Sequence, residues 1–242
     1  MKYSWQRFWD NYLDREPVTE DDLFRQVAHT VNGQPIPREL FNRMRDRIVA
    51  QLQLSPVDHL LEFCCANGLL SCELAAHVGY LTGIDFAPRL VRTAQQMKSR
   101  PHTAYILGDA TAPLSTWIDN TTFPNKLLMN YSLAYFEPAH LDTLLSNILN
   151  HLGRRPFDFL ASGIPNLDLK WNFYNTPERR ARHLENEKQP VNTNDGLGRW
   201  WRANEIEQIC RQHGLTVLIE NQPPELSNYR MDALISSTVS NP

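Results

Sequence analysis

The chain has 242 residues, 42% of them hydrophobic and 21% charged, with a formal net charge of −3. That balance fits a globular protein with one core and an appendage, and it lacks the basic excess with which nucleic-acid binders neutralise phosphates. No apolar stretch is long enough to span a bilayer.

The opening residues, MKYSWQRFWDNYLDRE, are aromatic and charged, unlike the apolar core of a signal peptide. The four cysteines, Cys64, Cys65, Cys72 and Cys210, form neither a CxxC pair nor a disulfide framework. A reducing cytoplasm is therefore the expected location. Adjacent Cys64 and Cys65 on a strand would point to opposite faces, so no metal site is expected there.

Residues 1 to about 50 read as a helical arm. Trp5, Phe8, Trp9 and Tyr12 recur at helical spacing, as do the apolar residues of PRELFNRMRDRIVAQL. Between these two helices, FRQVAHTVNGQPIP carries Asn-Gly and proline turn signals. From residue 57 strand and helix patterns alternate. VDHLLEF is a short apolar run, followed by the helix LLSCELAAHV. YLTGIDF precedes the helix PRLVRTAQQMKSR, with Pro88 at its first position. HTAYILGDA and NKLLMNYS are the next strands; EPAHLDTLLSNILNHLG is a helix ended by Gly153, and FDFLASGIP a fifth strand. Such alternation predicts a parallel α/β sheet covered on both faces.

The stretch from about 166 to 201 has no simple period, yet it carries Trp171, Phe173, Tyr174, Trp200 and Trp201. Beside the carboxyl end of a strand it reads as a lid or substrate wall. Within it ERRARH, residues 178–183, could meet an anionic substrate, but on a helix it reads more readily as a solvated face. After the helix ANEIEQICRQHG, the strands LTVLIEN and YRMDALISS are joined by only QPPELSN, too short for a parallel crossover. They should pair antiparallel.

In an open parallel sheet, ligands bind beyond the carboxyl ends of the strands, where strand order reverses. The loop after the first strand, CCANG, offers the small residues Ala66 and Gly68 to a close backbone approach and opens a helix. About twenty residues on, Asp85 ends the second strand, where an acid can accept hydrogen bonds from ribose hydroxyls. The third strand ends in GDA, placing Asp109 for an adenine edge. The ordered set describes a pocket for an adenosine-bearing cofactor. The third glycine of a dinucleotide fingerprint is missing, since Leu69, Leu70 and Ser71 follow Gly68.

The segments LLEFCCANGLLSCELA, GIDFAPRLVRTA, ILGDA and LLMNYSLAYF resemble the successive motifs of class I S-adenosylmethionine-dependent methyltransferases. The resemblance covers residues 57 to 165 and implies a Rossmann-like, seven-stranded, mostly parallel sheet with a terminal antiparallel strand. It places an N-terminal helical cover over residues 1–50 and the methyltransferase core over 51–242. Glu62 falls on the acid of the family's first motif, Cys64 and Ala66 on its first two glycines, and Gly68 on the third. The stretch RQVAHTVNG also resembles the cover segment of a bacterial branch of small methyltransferases.

By this resemblance the cofactor is S-adenosyl-L-methionine. Glu62, Cys64, Ala66, Asn67 and Gly68 would surround its methionine moiety, and Asp85 would hold the ribose with Phe86 against the adenine. Asp109 and Ala110 would read the adenine edge, and Asn130 and Tyr131 would line the passage to the methyl group. Gln26 and Thr30 would close the site from the arm.

Methyl transfer asks the protein to position a nucleophile and exclude water. Tyr135, Trp171 and Tyr174 are the expected substrate contacts. Tyr135, Glu137, His140 and His29 are the groups near the expected mouth that could serve as a base, and the sequence selects none as catalytic. The expected acceptor is a small molecule (metabolite, sugar or natural product) methylated on O or N, without nucleic acid. Two alternatives stay open: a methyltransferase-like scaffold that binds without catalysing, and a nicotinamide-dependent oxidoreductase.

Overall fold

A computed structural model describes residues 5–12, 19–31, 33–119, 121–186 and 197–237. The chain opens with helix α1 (Trp5–Asn11) and helix α2 (Glu20–Gln26), then a two-residue hairpin of β1 (Thr30–Val31) and β2 (Gln34–Pro35). Helix α2 goes beyond the two-helix reading of this arm. Its start is set by Thr19, whose hydroxyl accepts the Asp22 N–H while the Asp22 carboxylate accepts the Thr19 N–H. Glu20, Asp21 and Asp22 place three acids on the positive end of the helix.

Helix α3 (Arg38–Leu52) buries Phe41, Met44, Ile48 and Leu52, one apolar stripe at three- and four-residue spacing. These side chains pack with Leu60, Leu74, Leu128 and Leu160 of the sheet and its neighbours. The helix expected as the second part of a covering arm is thus part of the core, and the cover is made by the elements before it.

The main sheet follows: β3 (His59–Phe63), helix α4 (Leu69–Leu74), β4 (Tyr80–Asp85), helix α5 (Pro88–Met97), β5 (Thr103–Leu107), β6 (Lys126–Asn130), helix α6 (Pro138–Leu152) and β7 (Asp158–Pro165). After the short helices α7 (Lys170–Phe173) and α8 (Pro177–Asn186) come helix α9 (Ala203–Gln212), β8 (Leu215–Asn221) and β9 (Arg230–Ser237). Part of the expected lid, residues 187–196, lies outside the described residues.

Strand order across the sheet is β5-β4-β3-β6-β7-β9-β8, with β9 antiparallel to both neighbours and the other adjacent pairs parallel. The chain starts in the middle at β3, builds outward to β5, then crosses to β6. That reversal between β3 and β6 opens the crevice at their carboxyl ends. The central strands are buried on both faces, which is why they read as continuous apolar runs. Leu61, Phe63, Leu127, Met129 and Phe159 face α6 and α9, whereas Leu60, Leu128 and Leu160 face α3 and α4. Edge strand β8, by contrast, has only Leu215 buried.

Candidate functional site

A cavity of about 600 Å³ lies at the carboxyl ends of β3, β4 and β6, within the range for small-molecule sites. Its floor is the loop after β3. Cys64 (φ 58°), Ala66 (φ 50°) and Gly68 (φ 73°) all adopt left-handed backbone, so the loop keeps a glycine-like path with two side chains in place of glycine. A non-glycine residue there costs about 1–2 kcal/mol. Among the described residues, the other non-glycine positions with positive φ are Ala28, Tyr131 and Gln53; the first two also line the cavity, and Gln53 caps α3. Backbone strain is concentrated at the site.

Gly68 stands behind the cavity wall. A Cβ there would lie 3.0 Å from Ala94 Cβ and from the Tyr105 ring, so bare backbone is needed where the loop turns into α4. Asn67 locks this turn. Its amide donates to Leu23 O and Gln26 Oε1, both at 2.9 Å, and its oxygen accepts the Leu69 N–H. Gln26 in turn donates to Thr93 Oγ1. Expected as a cofactor contact, Gln26 is buried off the cavity and supports the loop through Asn67, while Thr30 of the same arm is on the wall.

Asp85, at the end of β4, ties two loops together: its Oδ2 accepts the Ala66 N–H and its Oδ1 the Ala87 N–H, each at 2.9 Å. A carboxylate has about four lone-pair sites, so these bonds leave capacity for a ligand, and Asp85 lines the cavity. Burial pushes its carboxyl up to about 6, against the pull of the backbone N–H groups. Glu62 is also buried on the cavity, accepting a short hydrogen bond from Ser71 Oγ. Burial raises it to about 7, the Ser71 bond opposes, and the Asp85 charge adds to the rise. Two buried acids with elevated values are the environment a cationic ligand would relieve.

Around them the wall is completed by Phe86, Asp109, Ala110, Asn130 and Tyr131. Asp109 forms a local turn, accepting from the Thr111 N–H and hydroxyl. Asn130 Oδ1 is buried without a hydrogen-bond partner among the described residues, an acceptor the fold alone leaves unused. The roof comes from α1. Trp5 and Trp9 pack on Tyr135 at 4.4 and 5.7 Å between ring centroids, and Gln6 Nε2 donates to Phe86 O.

Of the expected substrate contacts, Tyr135 lines the cavity, whereas Trp171 and Tyr174 do not. Trp171 is 49% exposed, and Tyr174 is buried in a stack with His183 at 4.1 Å. Phe173, between them, reaches the wall. Neighbouring residues of a short helix leave it in different directions, and an aperiodic stretch gives no signal of which one points inward. Trp201, expected among the lid aromatics, is a fully buried core residue whose indole donates to Leu133 O.

The candidate bases also separate. Glu137 lies off the cavity and caps α6. His140 lines the cavity, yet its Nδ1 accepts the Glu137 N–H, so its other nitrogen carries the proton when neutral. His29 lines the cavity edge-on to Tyr131, with its value lowered to about 4 by burial and by the charge of Arg230. The Cys64 thiol, pushed well up by burial and the nearby acids, stays protonated. Sequence reading passed over Arg230 and Tyr229, which β9 brings to the cavity. Among the described residues no group of three or more His, Cys, Asp or Glu is arranged to hold a metal.

A family model described as "Methyltransferase domain" matches residues 60–155. No curated protein matches the sequence. Among solved structures, the chain resembles magnesium protoporphyrin IX methyltransferase from Synechocystis PCC 6803 with bound SAH. That match has TM-score 0.59 and 12% identity, covering 96% of this chain and 98% of that one. It also resembles mycolic acid cyclopropane synthase complexed with SAH (TM-score 0.60, 14% identity, 82% of this chain and 84% of that one). A third likeness is to geranyl diphosphate C-methyltransferase from Streptomyces coelicolor A3(2) (TM-score 0.55, 12% identity, 81% and 77%). At such identities these likenesses carry the fold.

Proposed function

Carrying a methyltransferase domain on the class I S-adenosylmethionine-dependent fold, the chain, we propose, transfers a methyl group to an oxygen or nitrogen of a small molecule. The observation that carries the reading is the ring of unused polar capacity around one cavity: Asp85, Glu62 and the orphaned Asn130 Oδ1. These groups fit the proposed ligand. Asp85 would take the ribose hydroxyls with the lone pairs its backbone partners leave, and Asp109 and Ala110 the adenine edge, with Phe86 against its face. Glu62 and Asn130 Oδ1 offer acceptors to an ammonium group.

When bound, the cofactor supplies a methyl group activated by a sulfonium sulfur. The chain's own work is positioning and the exclusion of water, and orientation alone is worth about 7–11 kcal/mol in such displacements. Tyr135 and the α1 tryptophans cover one side, and Tyr131 and His29 close another. His29 is the group with a lone pair to take a proton from a hydroxyl acceptor: it is held neutral, and its ring has no hydrogen-bond partner among the described residues. His140 and Cys64 lack that capacity as placed. A small acceptor is supported by a cavity that is walled by aromatic rings and lined, among the described residues, by a single arginine and no lysine. Four free cysteines suit a reducing compartment, and no described helix is long and apolar enough to cross a membrane.

Calorimetric titration with S-adenosylmethionine, S-adenosylhomocysteine and NADH tests the reading. Micromolar binding of the first two without the third is expected. Binding of NADH alone, or of none, would overturn it.

A further inference from the structure

The cavity's charges are sorted across the sheet. Its acids, Glu62, Asp85 and Asp109, belong to β3, to the end of β4 and to the loop after β5. Its one lysine or arginine among the lining residues is Arg230, the first residue of β9. In the order β5-β4-β3-β6-β7-β9, that strand is three places beyond β3, about 14 Å at the usual strand spacing. On the cofactor assignment above, on which this inference rests, Arg230 therefore stands on the acceptor's side of the cavity.

The guanidinium is held in place without being neutralised. It lies over the rings of Tyr131 and Tyr229, 4.6 and 5.1 Å from their centroids, and donates through Nη1 to Gly163 O. Gly163 has φ 72°, and a Cβ there would come within 2.8 Å of the Tyr131 ring, so this corner is built to close tolerance. The acid two residues along the strand, Asp232, is already engaged. It accepts from Arg47 Nε (2.8 Å), the Gly163 N–H (2.9 Å) and Gln222 Nε2 (2.8 Å). No carboxylate pairs with Arg230 among the described residues, and His29, which it faces, is neutral.

A half-buried, pre-oriented guanidinium with most of its five donors unspent matches one ligand chemistry, a planar or tetrahedral oxyanion taken by two N–H groups at once. We propose that Arg230 determines acceptor specificity by binding a carboxylate or phosphate on the molecule that is methylated. Anchoring the acceptor at that end fixes the approach of its nucleophile past Tyr131 and His29 toward the cofactor side.

Three probes that share a ring and differ in charge test this: benzoate, phenyl phosphate and benzamide, titrated into protein saturated with S-adenosylhomocysteine. At least one anion should bind roughly tenfold or more tightly than benzamide, and which anion wins separates a carboxylate from a phosphate acceptor. Arg230→Gln should erase that preference while leaving affinity for S-adenosylhomocysteine within about twofold. Arg230→Lys, which keeps the charge and loses the fork, should fall between and serves if the glutamine variant does not fold. Equal binding of all three probes, binding of none, or a preference that survives in both variants overturns the proposal. So does loss of S-adenosylhomocysteine in Arg230→Gln, which would assign the guanidinium to the cofactor's own carboxylate. Failure of the wild-type protein to bind S-adenosylhomocysteine would instead overturn the cofactor reading beneath it.

Discussion

Cys64 and Ala66 show what a side chain at a glycine position means for this loop. Both retain left-handed backbone, so the loop path is preserved at the expense of local strain. The consequence is graded by side-chain shape. Ala66→Gly should leave thermal stability nearly unchanged, because the strain it relieves is offset by the unfolded-state entropy of glycine. Ala66→Val, β-branched at φ 50°, should lower thermal stability and weaken binding at least tenfold, read by differential scanning and calorimetric titration. Burial acts on the acids next door. Glu62 and Asp85 titrate near 7 and 6 in the folded protein, above their unfolded values, so the folded state holds protons that the unfolded chain has released. Their contribution falls as pH rises from about 4 to about 7, by on the order of 3 kcal/mol for Glu62. His29, lowered to about 4, acts in the opposite sense between about 4 and 6.5. The clean comparison is Glu62→Gln against wild type: the variant should gain in relative stability between pH 5 and pH 8 in urea titrations. A constant difference would contradict the buried-acid account. Arg230 marks what residue-by-residue reading misses, since an arginine on a strand acquires meaning only from the surfaces it meets, whereas His29 was already among the candidate bases and only its surroundings set it apart from the others.

Elements were more legible than the contacts between them. Strands β3 to β9 and helices α4, α5, α6 and α9 lie where apolar runs, Pro88 and Gly153 place them, with ends within a few residues, because central strands buried on both faces leave an unbroken apolar signature. Helix α2 was written in the Thr-Glu-Asp-Asp start, a capping pattern that its two apolar residues, Leu23 and Phe24, did not amplify. Its function is structural. It presents Leu23 O and Gln26 Oε1 to Asn67 and so latches the loop after β3 against the arm. Thr19→Ala should cost about 0.5–2 kcal/mol by loss of the cap, and Asn67→Ala should cost more, because it strands Leu23 O and the Leu69 N–H beside a buried turn. Hydrogen exchange at Leu69 should accelerate in both variants; unchanged protection there would show that α2 does not hold the loop. The aromatic stretch after β7 was expected as a single wall, yet its rings divide. Phe173 faces the cavity, Tyr174 stacks on His183 and Trp201 enters the core.

The whole molecule follows from where the chain starts its sheet. Beginning at the centre and reversing between β3 and β6 places the carboxyl ends of β3, β4 and β6 on one crevice, and the arm roofs it. That arrangement was readable from alternation and the order of motifs. The short return from β8 to antiparallel β9 was readable as a hairpin, but the pairing of β9 with β7 was not, and Arg230 reaches the cavity through that pairing. A crystal structure of the protein grown with S-adenosylhomocysteine tests the central claim most directly. The account predicts the ribose hydroxyls on the Asp85 carboxylate and the amino acid end between Glu62 and Asn130. Adenosine bound elsewhere, with Asp85 contacting only Ala66 and Ala87, would contradict it.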